Sequence, residues 1–182
     1  MTLPGPTPPL LIFDLDETLF FSTEKPLDRA EDFNVGPYAC YRRPLVEQLL
    51  EVVSRFFTVA VWTTSSAAYA RKVVAALFPP SLKLAFVWSR RQCIQALHPH
   101  LGVKIWIKDL VDLERENYIL ARTLIVDDSP EKLCRQPENL IPISPFLGRL
   151  DDRELEALAA YLPRLAEIED VRTLNKETWS TR

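Results

Sequence analysis

The chain has 182 residues, 47% of them hydrophobic and 26% charged, and its formal net charge is −3. This length and composition are typical of one soluble domain, and we predict a single domain over residues 10–182 behind a disordered, Pro-rich leader at residues 1–9. The slightly acidic balance argues against a nucleic-acid partner, and no apolar run approaches the roughly 20 residues that span a membrane. The leader lacks the basic and apolar regions of a signal peptide, so we expect a cytoplasmic protein without a membrane partner.

The first half of the chain alternates strand-like apolar runs with helical patterns. Residues 10–13 form a continuous apolar run that ends in acidic residues, which predicts a parallel strand buried on both faces. Apolar residues recur at helical spacing over 44–56, a β-rich run follows at 57–62, and a second helical pattern covers 67–77. The segment 20–41 has no clear periodicity and is predicted to be a loop or small hairpin that leans over the site.

The second half of the chain continues this alternation. Strand-like runs at 84–88, 123–126 and 140–143 precede a closing helix over 151–168, in which Pro163 is expected to cause a bend or two separate helices. Strands that alternate with helices predict an α/β fold, here a three-layer α/β/α sandwich with a mostly parallel central sheet. In such sheets ligands bind beyond the carboxyl ends of the strands, which is where the polar residues of this sequence lie.

Two acidic pairs follow two of the predicted strands. Asp14 and Asp16 come directly after the first strand, and residues two apart in extended backbone project to the same side, so both can address one ligand. Asp127 and Asp128 close the strand predicted at 123–126. Carboxylates that face one spot repel each other unless a cation lies among them, and Mg²⁺ prefers such oxygen ligands. The sequence therefore predicts a Mg²⁺ site.

A hydroxyl group and an ammonium group lie between the two acidic pairs in the sequence. Thr63 follows the strand predicted at 57–62, and Lys108 lies in a later polar junction, so that together they complete a phosphate site. Each residue also has a plainer structural interpretation. An Asp can cap a helix or lie in a solvated turn, one hydroxyl of residues 63–66 is expected to cap the following helix, and Lys108 could be a surface lysine.

The order of these four parts, with D-x-D-x-T first and D-D last, resembles the signature of haloacid dehalogenase phosphatases over about residues 10–145. Finer details are most similar to the branch that contains the small phosphatases of the C-terminal domain of RNA polymerase II. Those details stand at residues 14–19, 43–44, 62–65, 108–110 and 127–130. The resemblance implies a hydrolase of phosphate monoesters with a Mg²⁺ cofactor and no large cap domain.

The resemblance implies a role for each acidic residue. Asp14 corresponds to the nucleophile that forms a transient aspartyl phosphate. Asp16 corresponds to the general acid/base that protonates the leaving oxygen and later activates water. The side chains of Asp14 and Asp128 and the backbone carbonyl of Asp16 correspond to Mg²⁺ ligands, with Asp127 in the outer shell.

The resemblance also implies phosphate-binding and substrate-binding residues. Thr63, with Thr64 beside it, corresponds to the hydrogen-bond donor for the phosphoryl oxygens, and Lys108 to the residue that balances their charge. Arg90 and Tyr69 fall where relatives place residues that contact the substrate.

The substrate class is predicted from the number of residues that remain for a cap domain. The stretches between Asp16 and Thr63 and between Thr63 and Lys108 are largely used by strands and helices, so no cap domain fits. An open site can admit a phosphorylated side chain, which favours a phosphorylated protein or peptide as the partner, dephosphorylated at serine or threonine. Glu24 stands where relatives specific for the polymerase tail carry an aromatic residue, so that tail is not assigned as the substrate, and a small phosphate ester is the alternative.

Two other functional classes use similar residues. A signalling receiver domain also holds an aspartyl phosphate near magnesium, but its acidic pair comes first and its phosphorylated Asp later, the reverse of the order here. A non-catalytic module could keep the fold and lose the chemistry. The second class is disfavoured because the whole set is retained, namely Asp14, Asp16, Thr63, Lys108 and Asp128.

Overall fold

A computed structural model describes residues 7–98 and 100–179. Over these residues the strands are, in chain order, β1 Leu10–Phe13, β2 Phe20–Thr23, β3 Phe33–Val35, β4 Tyr38–Arg42, β5 Thr58–Trp62, β6 Val87–Trp88, β7 Ile94–Leu97, β8 Lys104–Ile107, β9 Thr123–Asp127 and β10 Leu140–Pro142. The helices are α1 Val46–Val53, α2 Ala67–Leu77, α3 Val111–Arg115 and α4 Glu154–Leu165. Residues 1–6 of the predicted leader lie outside the described part of the chain, and the single-domain assignment stays a prediction.

The central sheet has the strand order β10-β9-β1-β5-β6, and every pairing in it is parallel. Alternate residues of β1 enter two separate cores, because successive side chains of a strand point to opposite faces. Leu11 and Phe13 pack with α1, α2 and α4, whereas Leu10 and Ile12 pack with α3. Burial of each such side chain contributes about 1.5–3 kcal/mol. The predicted three-layer α/β/α arrangement is confirmed.

The segment predicted as a loop or small hairpin forms a second sheet, with the order β2-β4-β3 and antiparallel pairing. Its strands are three to five residues long, too short to produce a readable alternation in the sequence. Two features hold the sheet in place: Phe20 is fully buried and packs on Phe33, and Gly36, with a φ of 62°, allows the tight connection between β3 and β4. This small sheet covers one side of the site, and no large cap is present in the described residues.

The antiparallel hairpin of β7 and β8 and the short helix α3 were not predicted from the sequence. The hairpin matters for the site because β8 ends at Ile107, directly before Lys108. In a hairpin of two short strands the register is fixed by cross-strand pairs, such as Ile94 with Ile107, rather than by a local pattern. The position of Lys108 therefore depends on a pairing that the sequence did not reveal.

Helix α4 is one continuous helix, so of the two outcomes expected at Pro163 the two separate helices are wrong, and the bend stays a prediction. Pro163 lies in the last turn, so the helix loses the bond from this one N–H but has only two more residues to continue before it ends at Leu165. Buried Leu155, Leu158 and Leu162 hold this helix against the core. No helix among the described residues is long and apolar enough to cross a membrane, and the cytoplasmic location stays a prediction.

Candidate active site

The parallel sheet brings the predicted site residues to one edge. Asp14 follows β1, Thr63 follows the neighbouring β5, and Asp127 ends β9 on the other side of β1. The backbone N–H of Asp14 donates to the carbonyl of Val126 at 3.0 Å, and that of Thr63 to the carbonyl of Trp88 at 3.0 Å. These bonds continue the strand ladders past the strand ends, so sheet hydrogen bonds hold the backbone at Asp14 and Thr63.

Lys108 is fully buried between two of these carboxylates. Its Nζ donates to Asp14 Oδ1 at 2.8 Å and to Asp127 Oδ2 at 2.5 Å. A surface lysine would be solvated, so that alternative interpretation of Lys108 is wrong. A fixed ammonium group beside Asp14 lowers the repulsion between this carboxylate and an approaching phosphate.

A second lysine, Lys132, contacts the same cluster and was missed in the sequence. Its Nζ lies 3.5 Å from Asp14 Oδ2, 3.2 Å from Asp127 Oδ1 and 3.7 Å from Asp128 Oδ1. Burial lowers the pKa of Lys132, but the three carboxylates outweigh burial and raise it, so the ammonium form is favoured. The only signal in the sequence is its spacing from Asp128, four residues on, in the 3₁₀-helix Pro130–Leu133 that follows the acidic pair.

Three carboxylates form a group that could hold a metal ion. One oxygen from each of Asp14, Asp127 and Asp128 lies within 4.8 Å of the other two. This set of hard oxygen donors fits Mg²⁺. Asp128 is oriented by hydroxyl donors, from Thr18 to its Oδ1 at 3.3 Å and from Ser129 to its Oδ2 at 3.0 Å. The outer-shell position predicted for Asp127 stays a prediction, since its carboxylate lies in the same group as the other two.

The Asp16 side chain turns away from that group into a hydroxyl network. Its Oδ1 accepts from Tyr69 at 2.7 Å and from Ser22 at 3.4 Å, and its Oδ2 accepts from Ser65 at 3.0 Å. Burial raises the pKa of Asp16; the Tyr69 hydrogen bond opposes this rise and the charge of Asp14 adds to it. The net pKa is raised, which suits a group that must donate a proton to a leaving oxygen.

Tyr69 was predicted to contact the substrate, and the structure places it on Asp16. The ring is half-buried and packs edge-on against Tyr38, with ring centroids 6.2 Å apart. Its hydroxyl also lies 3.1 Å from Ser22 Oγ. Burial, followed by the charge of Asp16, raises the pKa of Tyr69, so the phenol remains a hydrogen-bond donor. Ser22 and Ser65 were not singled out in the sequence, because short hydroxyl side chains carry no pattern of their own.

The residues of the hydroxyl-rich run after β5 make different kinds of contact. Ser66 caps α2, where its Oγ accepts from the N–H of Tyr69 at 3.3 Å, which confirms the predicted cap. Thr63 is buried, and its Oγ1 accepts from the N–H of Ser65 at 3.0 Å, which leaves the hydroxyl proton available for another acceptor. The carbonyl of Thr64 accepts from Nε of the exposed Arg90 at 2.6 Å.

Arg90 lies at the rim of this loop. Its guanidinium stands 5.8 Å from the Trp106 ring, and its backbone N–H donates to the carbonyl of Ser65 at 2.9 Å. Arg90 is therefore close in space to the loop that carries Thr63. Its contact with a substrate stays a prediction, as does that of Tyr69.

Comparison with known proteins identifies the family to which the chain belongs. A profile described as NLI interacting factor-like phosphatase matches residues 9–172. The chain belongs to this family. Among its relatives, the "Probable C-terminal domain small phosphatase" of Dictyostelium discoideum is 34% identical over 92% of this chain and 54% of that protein. The human "Carboxy-terminal domain RNA polymerase II polypeptide A small phosphatase 1" is 29% identical over 92% of this chain and 63% of that protein.

Solved structures support the fold of this family member. The structure titled "The Structure of Fcp1, an essential RNA polymerase II CTD phosphatase" matches with a TM-score of 0.56 and 19% identity, covering 87% of this chain and 49% of the other. An uncharacterized protein from Listeria monocytogenes serotype 4b has the same TM-score at 16% identity, covering 88% and 99% of the two chains. The chain thus spans 54% to 63% of the length of the two curated relatives named above.

Proposed function

We propose that the protein is a Mg²⁺-dependent phosphatase that hydrolyses phosphate monoesters through an aspartyl phosphate on Asp14. The single observation that carries this proposal is the buried contact of Lys108 with Asp14, at the sheet edge that also holds Asp16 and Asp128. An attacking carboxylate, a cation beside it, a proton donor and a group of oxygen ligands are the parts that such a hydrolysis requires.

The reaction follows from the positions of the side chains. Asp14 attacks phosphorus and forms an anhydride bond, while the bond from phosphorus to the leaving oxygen breaks and Asp16 gives its proton to that oxygen. Asp16, now a carboxylate, takes a proton from water, whose oxygen attacks phosphorus and releases Asp14 and inorganic phosphate. The hydroxyls of Tyr69, Ser65 and Ser22 hold the Asp16 carboxyl in place throughout.

Charge is the main obstacle, because a phosphate dianion must approach an anionic nucleophile. Asp14 and Asp128, with the carbonyl of Asp16, would hold Mg²⁺, which would supply positive charge to the phosphoryl oxygens. Lys108 supplies a fixed positive charge from within the protein, and Thr63 can donate a hydrogen bond to a phosphoryl oxygen.

For the substrate, we propose phosphoserine or phosphothreonine in a protein. The small sheet of β2, β3 and β4 places Ser22 beside Asp16, and the described residues include no large cap, so the site can admit a side chain that projects from a larger molecule. Relatives are named as phosphatases of the RNA polymerase II C-terminal domain. In this chain the position of the expected aromatic is the exposed Glu24, directly after β2, so a different phosphoprotein is the better candidate.

A panel comparison tests this substrate class. Phosphoserine and phosphothreonine peptides and a set of small phosphorylated metabolites are incubated with the protein and Mg²⁺, and released phosphate is measured. We expect kcat/KM to be at least about tenfold higher for the best peptide than for the best metabolite. The reverse order would replace the phosphoprotein by a small ester, and no release from either panel with Mg²⁺ present would refute the proposed activity.

Removal of divalent cations should lower the rate by at least about a hundredfold, because the charge on the phosphoryl oxygens would then be balanced by lysine alone. Hydrolysis of an aryl phosphate is measured before and after treatment with a chelator, and again after Mg²⁺ is restored. Asp128→Ala should raise the Mg²⁺ concentration needed for half-maximal rate. Turnover that persists in chelator would contradict the metal requirement.

Tyr69→Phe should reduce kcat on an alkyl phosphate about tenfold, because Asp16 would lose the closest of its hydrogen-bond donors. The loss should be smaller on an aryl phosphate, whose leaving group needs little protonation. Tyr38→Phe is the matched control, since Tyr38 packs on the Tyr69 ring whereas the hydroxyl that donates to Asp16 belongs to Tyr69. An effect of Tyr69→Phe on KM alone would instead support the predicted contact with substrate.

A further inference from the structure

Lys132 occupies an unusual position for a second lysine. Its Nζ approaches Asp14, Asp127 and Asp128 at 3.2 to 3.7 Å, and these three residues are the group whose oxygens could hold a metal ion. Lys108 does not duplicate this contact, because it binds Asp14 Oδ1 and Asp127 Oδ2 whereas Lys132 faces Asp14 Oδ2 and Asp127 Oδ1. Lys108 therefore contacts the group from its buried side, and Lys132 lies where a divalent cation would contact the same oxygens.

The two lysines differ in their freedom to move. The Lys108 side chain has no exposed surface, whereas 17% of the Lys132 side chain is exposed. The backbone of Lys132 is fixed, since its carbonyl accepts from the N–H of Lys108 at 2.7 Å and its own N–H donates to Ser129 at 3.0 Å. Only the flexible stem of Lys132 can therefore move, and part of it already contacts solvent.

Charge balance opposes the presence of Lys132 and a divalent cation in the same place. Two ammonium groups already offset two of the three carboxylate charges, so a divalent ion added to the same group would exceed the one negative charge that remains. A divalent ion in contact with the same oxygens would lie within a few ångströms of Nζ, and like charges this close repel strongly in a site shielded from water. Mg²⁺ also needs the oxygen lone pairs towards which Lys132 now points.

We propose that Lys132 is an internal competitor of the divalent cation. Its ammonium group offsets part of the negative charge of Asp14, Asp127 and Asp128 when no metal is bound, and it leaves them when the metal enters. This inference rests on the metal site of the proposed function. Lys132 is then a residue that sets metal affinity and that keeps the metal-free protein folded, in contrast to Lys108, which stays in place in both states.

Direct metal binding tests the competition. Mg²⁺ is titrated by calorimetry into the whole protein and into Lys132→Met, which keeps an unbranched stem of similar length without the charge. We expect Kd for Mg²⁺ to fall about tenfold or more in Lys132→Met, because the repulsion and the competition are both removed. Lys132→Arg keeps the charge and should bind Mg²⁺ within a few-fold of the unchanged protein.

A matched control and a stability measurement complete the test. Lys83→Met removes an exposed lysine near the opposite end of β5 and should leave Mg²⁺ affinity unchanged. In chelator, Lys132→Met should unfold at a lower temperature than the unchanged protein, and saturating Mg²⁺ should raise its unfolding temperature more. If Lys132→Met does not fold in chelator, Lys132→Gln takes its place in both measurements.

The outcomes separate this inference from the proposed function. Mg²⁺ binding that is equal or weaker in Lys132→Met than in the unchanged protein would overturn the competition, even if the protein hydrolyses phosphate esters. Tighter binding in Lys132→Met together with no hydrolysis of any ester would refute the proposed activity while the competition stands. Absence of Mg²⁺ binding in both proteins would overturn the competition and the metal site together.

Discussion

Asp14→Asn should reduce hydrolysis of an aryl phosphate by about a thousandfold or more, because an amide cannot replace the attacking carboxylate. The fold should persist, since Asn has nearly the same shape and the two lysines of the site would still face the carboxylates of Asp127 and Asp128. Initial rates with Mg²⁺, measured beside the thermal unfolding of each variant, separate lost chemistry from lost structure.

Two further variants sharpen this result. Asp170→Asn makes the same chemical change at an exposed ion pair with Arg172 and should leave the rate unaltered. Asp16→Asn should allow slow attack by Asp14 but strand the intermediate, so mass spectrometry should find one added phosphoryl group on the peptide that contains residue 14. Ordinary turnover in Asp14→Asn, or a phosphoryl group on another residue, would contradict the covalent route.

Arg43→Met should lower the free energy of unfolding by about 3–5 kcal/mol, because it removes a buried cation and leaves its partners unpaired. The fully buried guanidinium of Arg43 binds Asp152 through two nitrogens at 2.9 Å and Glu154 at 2.8 Å. It also donates to the carbonyls of Thr18 at 3.1 Å and Ser144 at 2.9 Å. One side chain thereby links the loop after β1, the loop after β10 and the first turn of α4.

Thermal and denaturant unfolding measure this loss, which corresponds to a decrease in Tm of roughly 10 °C for a protein of this size. Arg55→Met is the matched control, since Arg55 pairs with Glu51 on the surface of the protein. An exposed pair of this kind contributes about 0–1 kcal/mol, so the control should unfold close to the unchanged protein. Equal effects of the two substitutions would show that burial of Arg43 does not decide its contribution.

Much of the fold could be predicted because the central strands carry local patterns. A strand buried on both faces must be apolar at every position, so β1 and β9 were placed to within one residue. The pattern failed where strands are short or half-exposed. Cross-strand residue pairs hold the sheet of β2, β3 and β4 and the hairpin of β7 and β8. The partners in these pairs are separated in sequence, so a window of a few residues cannot predict them.

The same limit applies to the candidate site. Asp14, Asp16 and Asp128 could be singled out because they directly follow strands and because their order resembles a family signature. Lys132 could not, since a lysine on a short 3₁₀-helix is usually a solvated residue and only the surrounding carboxylates give it a different role. Tyr69 was assigned to the substrate, whereas its hydroxyl contacts Asp16 in the structure.

The sequence by itself determined which apolar runs form the central strands, which acidic residues follow those strands, and the family to which the chain belongs. Those properties are local, because each depends on a few consecutive side chains. Only the tertiary structure decided which charges meet: Lys108 with Asp14, Lys132 with the three carboxylates, and Arg43 with the start of α4. Electrostatic contacts depend on distance in space and on burial, and both arise only when the strands and helices have packed.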